Sequence, residues 1–258
     1  MSQSPAKKIA FLASNAPEAQ KAAKRFTKKF AGVGIEQADI VVALGGDGFM
    51  LESLHKAMEY KIPVYGMNCG SIGFLMNDFY KGGLIERLEL ARPKDIYPLF
   101  MKVKDANNKT HHALALNEVS LFRSTYQAAK IKIVVDGKVR LKELICDGVL
   151  LSTPAGSTAY NLSAHGPILP IDAPLLALTP ISPFRPRRWR GAILHNDARV
   201  VFKTLEANKR PISAVADNVE FENVLSVEIF EDRSKKVTLL FDPGHGLEER
   251  VLNEQFLI

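Results

Sequence analysis

The first hundred residues alternate short apolar runs with helical patterns, and this alternation limits the possible folds more than any other feature of the chain. The runs and the helical patterns follow one another at residues 8–13, 17–30, 40–44, 49–60 and 62–65. Alternating strands and helices predict a parallel sheet that is covered by helices on both faces. Ligands of such sheets bind beyond the carboxyl ends of the strands, where the glycine-rich segments 45–48 and 66–73 fall.

The pattern changes after Pro93. Strand-like segments then follow one another closely, at residues 99–104, 113–122, 130–135, 148–152, 192–202 and 224–230. Turn signals at 105–108 and 136–137 separate several of them. The predicted fold class is therefore α/β followed by β: an N-terminal Rossmann-like domain with a parallel sheet, then a β-rich, sandwich-like C-terminal domain.

The composition excludes several classes of protein. The chain has 258 residues, of which 47% are hydrophobic and 24% charged, so it can bury one large core or two ordinary ones. It has no run of ~18 apolar residues, and its start lacks the apolar region of a signal peptide. Two cysteines are too few for a disulfide framework, and no zinc-binding motif occurs. We therefore expect a cytoplasmic protein.

The net charge of +6 favours anionic partners but does not distinguish nucleic acid, nucleotide and phospholipid. The basic residues fall largely into two clusters, at 21–29 and 185–190. Apolar residues recur at helical spacing through the first cluster, which is typical of the solvated face of a helix. The second contains Trp189 and a proline, which predicts a loop or an edge and does not favour nucleic-acid binding.

The strongest local signal is an apolar strand, a Gly-Gly-Asp-Gly segment at 45–48 and then a helix. Glycine lets a bulky anion approach the main chain, and the amides at a helix N-terminus point toward it, so a phosphate site is predicted. No GxxxxGK[ST] pattern occurs, which disfavours a P-loop nucleotide triphosphatase. Asp47 could accept a proton or hold a metal ion. The alternative is a tight turn in which Asp47 only caps the helix.

Four further motifs accompany this one. Together the five are Gly-Gly-Asp-Gly at 45–48, the glycine-rich run at 63–75, Leu-Asn-Glu-Val at 116–119, Asp-Gly at 147–148, and the segment Ser-Thr-Pro-Ala-Gly-Ser-Thr-Ala-Tyr-Asn-Leu-Ser at 152–163. In order and approximate spacing they resemble the motifs of the NAD kinase family. Gly-Gly-Asp-Gly alone also occurs in phosphofructokinases and in diacylglycerol and sphingosine kinases. The Asn-Glu pair and the last segment are more specific.

The resemblance implies phosphoryl transfer from ATP, or in some members polyphosphate, to the 2′-hydroxyl of the adenosine ribose of NAD, with NADP as product. A secondary hydroxyl is a poor nucleophile and needs a base within reach, a task that the resemblance assigns to Asp47. Mg²⁺ bound with ATP would supply positive charge. The resemblance also implies that Gly45, Gly46 and Gly48 bind nucleotide and that Phe74 lines an adenine.

The resemblance further implies an NAD site in the second half of the chain. Asn117 and Glu118 offer donors and acceptors that match an adenine edge. The alternative is a turn cap at Asn117 and an ion pair at Glu118. Asp147 would lie near the nicotinamide side, sometimes across a subunit boundary, unless it is an ordinary turn residue. The other residues implied to line the site are Thr158, Ala159, Tyr160, Asn161, Leu162 and Ser163.

Three positions depart from the family pattern. Ile145 stands where many members carry a basic residue, so charge near the substrate is missing or supplied elsewhere. His165 and Asn218 each stand where glycine is usual, and His165 is expected to be an ordinary residue at a helix end. No metal site built by the protein alone is expected, because the adjacent His111 and His112 would face opposite sides of a strand.

The resulting prediction is an ATP-dependent, Mg²⁺-requiring NAD kinase that forms a homodimer or homotetramer, without nucleic-acid or membrane partners. Residues 1–98 would bind ATP and be joined by a returning tail at 240–258, although the pattern of the tail alone does not establish its return. Residues 99–239 would bind NAD. Two alternatives stay open: a lipid kinase with the same Gly-Gly-Asp-Gly domain, and a sensor that binds NADP without turnover.

Overall fold

The computed structural model describes residues 7–70, 73–80 and 82–244. The chain divides into two compact units: the first comprises the residues up to Ile96 together with those from Lys235 onward, and the second comprises Tyr97–Ser234. The part of the predicted returning tail at 245–258 lies outside the described residues. Within those ranges, no helix has both the length and the apolar character that crossing a membrane requires.

The helices are few and the strands many. The helices are α1 (Pro17–Phe30), α2 (Asp47–Tyr60), α3 (Leu84–Leu90) and α4 (Tyr160–Ser163), with 3-10 turns at Ile35–Gln37 and Ala155–Thr158. The strands are β1 (Ile9–Ala13), β2 (Ile40–Gly45), β3 (Val64–Asn68), β4 (Arg92–Ile96), β5 (Leu99–Asp105), β6 (Thr110–Ala115), β7 (Glu118–Arg123), β8 (Ala129–Val135), β9 (Lys138–Cys146), β10 (Gly148–Ser152), β11 (Leu175–Ile181), β12 (Ala192–His195), β13 (Val200–Thr204), β14 (Ile212–Ala216), β15 (Val219–Phe221), β16 (Val224–Glu231) and β17 (Val237–Phe241).

The described part of the first unit contains a five-stranded sheet in the order β1-β2-β3-β17-β4. The first four strands of this order are parallel, and β4 runs antiparallel to β17. Because side chains alternate along a strand, the two faces bury different residues. Leu44 and Tyr65 pack in one cluster with Phe26 of α1, whereas Met50 of α2 lies against Gly66 on the opposite face. The sheet is thus covered on both faces, as alternating strands and helices require.

The second unit contains two six-stranded antiparallel sheets, ordered β12-β11-β10-β7-β14-β15 and β6-β5-β16-β13-β8-β9. Alternate residues of both sheets, such as Leu121 and Leu151 of the first and Met101 and Phe202 of the second, form one buried apolar core. The predicted fold class, a parallel-sheet domain followed by a β-rich sandwich, is confirmed.

Some strand predictions were wrong in detail. Segment 113–122 is divided between β6 and β7, which belong to different sheets, and segment 192–202 is divided between β12 and β13. Leu116 continues the apolar pattern across the first break, whereas the second break contains Asn196 and Asp197, a turn signal that the prediction passed over. The strand β11 was not predicted, because it contains Pro180, and neither was β9, because it is rich in charge.

Candidate functional site

Asp47 lies at the first helical position of α2, after Gly46 at the N-cap position. The N-cap residue, Gly46, makes no side-chain hydrogen bond, so Asp47 is not the capping residue. Instead, its carboxylate accepts hydrogen bonds from the main-chain amides of Phe74, at 2.7 Å, and Leu75, at 3.1 Å. The capping alternative is therefore wrong, and the carboxylate fastens the Gly-Gly-Asp-Gly turn to the glycine-rich loop that follows β3.

The glycines of this region have different roles. A Cβ at Gly73 would lie 2.7 Å from Oδ1 of Asp47, so only glycine lets the loop approach the carboxylate this closely. A Cβ at Gly45 would lie 2.9 Å from Cβ of Phe49. In contrast, a Cβ at Gly46 or Gly48 would meet no atom of the described residues within 4 Å. Open space therefore borders the N-terminus of α2, where main-chain amides favour an anion.

Asn117 and Glu118 lie where the chain passes from β6 into β7. The carboxylate of Asp217 accepts hydrogen bonds from three successive amides there, those of Leu116 (2.7 Å), Asn117 (3.0 Å) and Glu118 (3.3 Å). Asp217 lies in the turn between β14 and β15 with a φ of 50°. Asp217, which precedes the unusual Asn218, therefore holds the main chain of the Asn-Glu motif in place.

Glu118 has an unusual environment. Its Oε2 atom is buried and has no hydrogen-bond partner among the described residues. Burial raises the pKa of Glu118 to about 8, and the nearby charge of Asp217 contributes to this increase. The carboxyl is therefore mostly protonated at neutral pH and can donate a hydrogen bond. The described residues show neither the ion pair expected of a structural Glu118 nor a turn cap by the Asn117 side chain.

The segment at 152–163 packs directly against this motif. The amide of Thr153 donates to the carbonyl of Asn117 at 2.9 Å, and its hydroxyl donates to the carbonyl of Leu116 at 2.7 Å. A Cβ at Gly156 would lie 2.2 Å from the carbonyl oxygen of Asn117, so glycine is required for this close approach. Two motifs that are separate in the sequence thus form one structure.

Within this segment the side chains differ in exposure. Tyr160 is 38% exposed, and its ring lies 5.7 Å from that of Phe122. Asn161 is buried: its amide donates to the carbonyls of Ser157 (3.1 Å) and Pro167 (2.9 Å), and its oxygen accepts from Thr179. The Asn161 side chain therefore shapes the segment from within. Thr158 is buried, Ala159 and Leu162 are half-buried, and Ser163 and His165 are exposed, with His165 following Ala164, the C-cap of α4.

Asp147 lies between β9 and β10 and forms an ion pair with Arg123 of the neighbouring strand β7, with 2.6 Å between Nε and Oδ1. Sequence reasoning missed Arg123. The register explains the contact, because Phe122 is directly opposite Gly148. Arg123 supplies a positive charge beside Asp147.

The structure brings four of the predicted residues together in the second unit. The ring of Tyr160 packs against Phe122 of β7, the strand that begins at Glu118, beside Asn117, and whose Arg123 pairs with Asp147. Burial and the charges of Glu118 and Asp147 raise the pKa of Tyr160. Asp47, Gly45, Gly46, Gly48 and Phe74 belong to the first unit. The described residues contain no cluster of three or more His, Cys, Asp or Glu side chains suited to a metal ion.

Family models match most of the chain. The N-terminal domain of ATP-NAD kinase matches residues 1–82, and its C-terminal domain matches residues 116–230. An NAD kinase of Caulobacter vibrioides is 60% identical over 96% of both chains. An NAD kinase of Rhizobium meliloti is 56% identical over 96% of both chains.

Solved structures with the same fold include two with bound nucleotides. Yeast NADH kinase in complex with NADH gives a TM-score of 0.83 at 21% identity and covers 98% of this chain and 88% of that one. An NAD kinase of Archaeoglobus fulgidus in complex with ATP gives 0.77 at 20% identity, with coverage of 96% and 98%. The family models and the curated relatives decide against the lipid-kinase and sensor alternatives. The chain belongs to the NAD kinase family and is an enzyme that phosphorylates NAD to NADP.

Proposed function

We propose that Asp47 accepts the proton of the ribose 2′-hydroxyl of NAD while that oxygen attacks the terminal phosphorus of ATP. The observation that carries this assignment is the pair of amide hydrogen bonds from Phe74 and Leu75, which holds the carboxylate in one place. A carboxylate oxygen has two lone pairs, so an oxygen that accepts an amide hydrogen bond can also accept one from a hydroxyl. A base that is already oriented avoids reorganisation during the reaction.

We also propose that the first unit binds ATP through Gly45, Gly46, Gly48 and Phe74. The open space beside Gly46 and Gly48 at the N-terminus of α2 supports this assignment. Mg²⁺ commonly takes one or two carboxylates and completes its shell with water and phosphate oxygens. In this proposal Asp47 remains the base, and Mg²⁺ held mainly by the phosphate oxygens of ATP and by water would supply positive charge to the phosphoryl oxygens.

The second unit is proposed to bind NAD. Asn117 and Glu118 would recognise adenine, because their side chains make no hydrogen bond to the described residues and the buried Oε2 needs a partner. Tyr160 offers a partly exposed ring, and the ion pair of Asp147 with Arg123 borders the same region. The rest of the wall would come from Thr158, Ala159, Asn161, Leu162 and Ser163.

A homodimer or homotetramer in the cytoplasm completes the proposal. Ile193 on the edge strand β12 is 54% exposed, and Val139 on the edge strand β9 is 53% exposed. Exposed apolar residues on sheet edges favour association with another chain. Light scattering at micromolar concentration should therefore give a multiple of 28.5 kDa, and a single species of that mass would contradict the proposal.

The test of the base assignment is Asp47→Asn, which keeps size and hydrogen bonding but removes the proton acceptor. We expect turnover to fall by ~10²–10⁴-fold with little change in NAD affinity measured by calorimetry. If Asp47 is instead a metal ligand, raising Mg²⁺ or changing to Mn²⁺ will restore part of the rate, and ATP affinity will fall too. Near-parental turnover, detected as NADP with an NADP-specific dehydrogenase, would refute the assignment.

A further inference from the structure

Asn77 is fully buried and holds the far end of the loop whose amides bind Asp47. Its side-chain amide donates to the carbonyls of Gly66 in β3, at 3.0 Å, and Leu240 in β17, at 2.9 Å. Its side-chain oxygen accepts from the amide of Asp242 at 2.9 Å. A buried amide is stable only when its polar atoms are paired, and these bonds use both donors and the acceptor.

The main chain of Asn77 is fixed as well. Its amide donates to the carbonyl of Gly66, and its carbonyl accepts from the amide of Asn68, each at 2.8 Å. Only Met76, which is also fully buried, separates Asn77 from Leu75, whose amide binds the Asp47 carboxylate. Two residues span at most ~7 Å of chain, so a displacement of Asn77 is passed to that amide.

Asp242, just beyond β17, is held in turn by charged and polar partners. The Tyr65 hydroxyl donates to it at 2.7 Å, and Arg87 forms an ion pair with it. The Arg87 guanidinium also donates to the carbonyl of Asp78, at 2.9 Å, and lies over the rings of Tyr65 and Tyr80. Arg87 therefore links Asp78, the residue that follows Asn77, to Asp242.

From these contacts we infer that Asn77 is a positioning residue for the proposed base Asp47, and that it makes the returning strand β17 part of the catalytic apparatus. The inference rests on the proposed role of Asp47. Asn77 does not contact the substrate in this proposal. It orients the Phe74 and Leu75 amides, which in turn orient the carboxylate.

The primary test is Asn77→Ser, which keeps a polar group but is too short to reach β17. A misplacement of about 1 Å at a catalytic group can cost ~10²-fold, so we expect kcat to fall by about 10- to 100-fold while the dissociation constant for NAD changes less than about threefold. Hydrogen exchange of the Phe74 and Leu75 amides should accelerate. In an Asp47→Asn background, Asn77→Ser should cause no further loss, because the residue acts through Asp47.

Asp95→Asn is the matched control, because Asp95 holds the opposite end of the same strand through Thr238, at 2.6 Å, and Lys236, at 2.5 Å. It should leave kcat and the exchange of the two amides unchanged. If Asn77→Ser does not fold, Arg87→Lys keeps a positive charge beside Asp242 but loses the bond to the Asp78 carbonyl, and it should show a smaller loss of the same kind.

Parental kcat in folded Asn77→Ser would overturn the inference. So would an equal loss of kcat when Asn77→Ser is introduced into the parent and into Asp47→Asn. Unchanged exchange of the Phe74 and Leu75 amides would overturn it too. These outcomes differ from a failure of the base assignment, which would appear as near-parental turnover in the single variant Asp47→Asn. In that case the exchange measurement still reports whether Asn77 orients the loop.

Discussion

The two units each place one carboxyl group at the centre of their candidate site, but the two groups are held in opposite ways. Asp47 accepts two main-chain hydrogen bonds from the loop beside it. Glu118 has its main chain fixed by Asp217, whereas its side-chain Oε2 is buried without a partner among the described residues. The Asp47 carboxylate is thus oriented before substrate binds, whereas the buried Oε2 of Glu118 lacks a hydrogen-bond partner among the described residues.

This difference matches the tasks proposed for the two groups. A base must be aligned before the reaction, so internal hydrogen bonds that orient Asp47 favour turnover. A recognition group gains specificity when its buried polar atoms are satisfied only by the correct ligand. The free enzyme therefore carries an energetic cost at Glu118 that ligand binding can relieve, and no such cost arises from the hydrogen bonds at Asp47.

The largest effect expected from this comparison concerns stability as a function of pH. Glu118 has a pKa of about 8 in the folded protein and an ordinary value of 4.5 when unfolded. Below pH 4.5 both states are protonated, and between pH 4.5 and about 8 only the folded state keeps the proton. The free energy of unfolding should therefore decrease as the pH rises from 4.5 to about 8, by an amount on the order of a few kcal/mol.

The measurement is urea unfolding of the parent and of Glu118→Gln at several pH values between 5 and about 9. The amide cannot ionise, so the difference in unfolding free energy between the two proteins should grow with pH in favour of the variant. Other titrating groups contribute equally to both curves and cancel in the difference. A difference that does not change with pH would show that Glu118 is not held neutral by its surroundings.

Local motifs were found from the sequence, and distant partners were not. The Gly-Gly-Asp-Gly turn and the segment at 152–163 are visible because each is continuous in the chain. The Arg123–Asp147 pair spans 24 residues, the Asp217 bond to the Asn117 amide spans 100, and the Asn77 bond to Leu240 spans 163. Nothing in the local pattern marks these residues as partners. Only the register of the strands brings them together.

The same limit explains how the roles within the sites were assigned. Asn161 belongs to a recognisable motif, yet its side-chain amide and oxygen form hydrogen bonds within the protein. Nothing in the sequence marks Asp217, which precedes the unusual Asn218, although its carboxylate holds the main chain of the Asn-Glu pair. A motif predicts which residues gather at a site, whereas burial and hydrogen bonding decide which of them can face a ligand.

The smallest expected effect is on NAD affinity. Asn117→Ala or Glu118→Ala should weaken NAD binding by ~1–3 kcal/mol, or about 5- to 150-fold, because each leaves a polar partner on the adenine unsatisfied. The affinity for ATP should change less, since its proposed site belongs to the first unit. Calorimetry with each nucleotide checks both statements.

Two exposed residues of the second unit provide matched controls. Asn107→Ala and Glu222→Ala remove the same kinds of side chain from the surface, and they should leave NAD affinity unchanged. Glu118→Gln sharpens the comparison further, because an amide resembles the neutral carboxyl: it should bind NAD nearly as well as the parent at pH 7 and better than the parent at pH 9, where Glu118 is ionised. Parental NAD affinity in either alanine variant would refute the adenine assignment, since a recognition group that can be removed without loss makes no specific contact with its ligand.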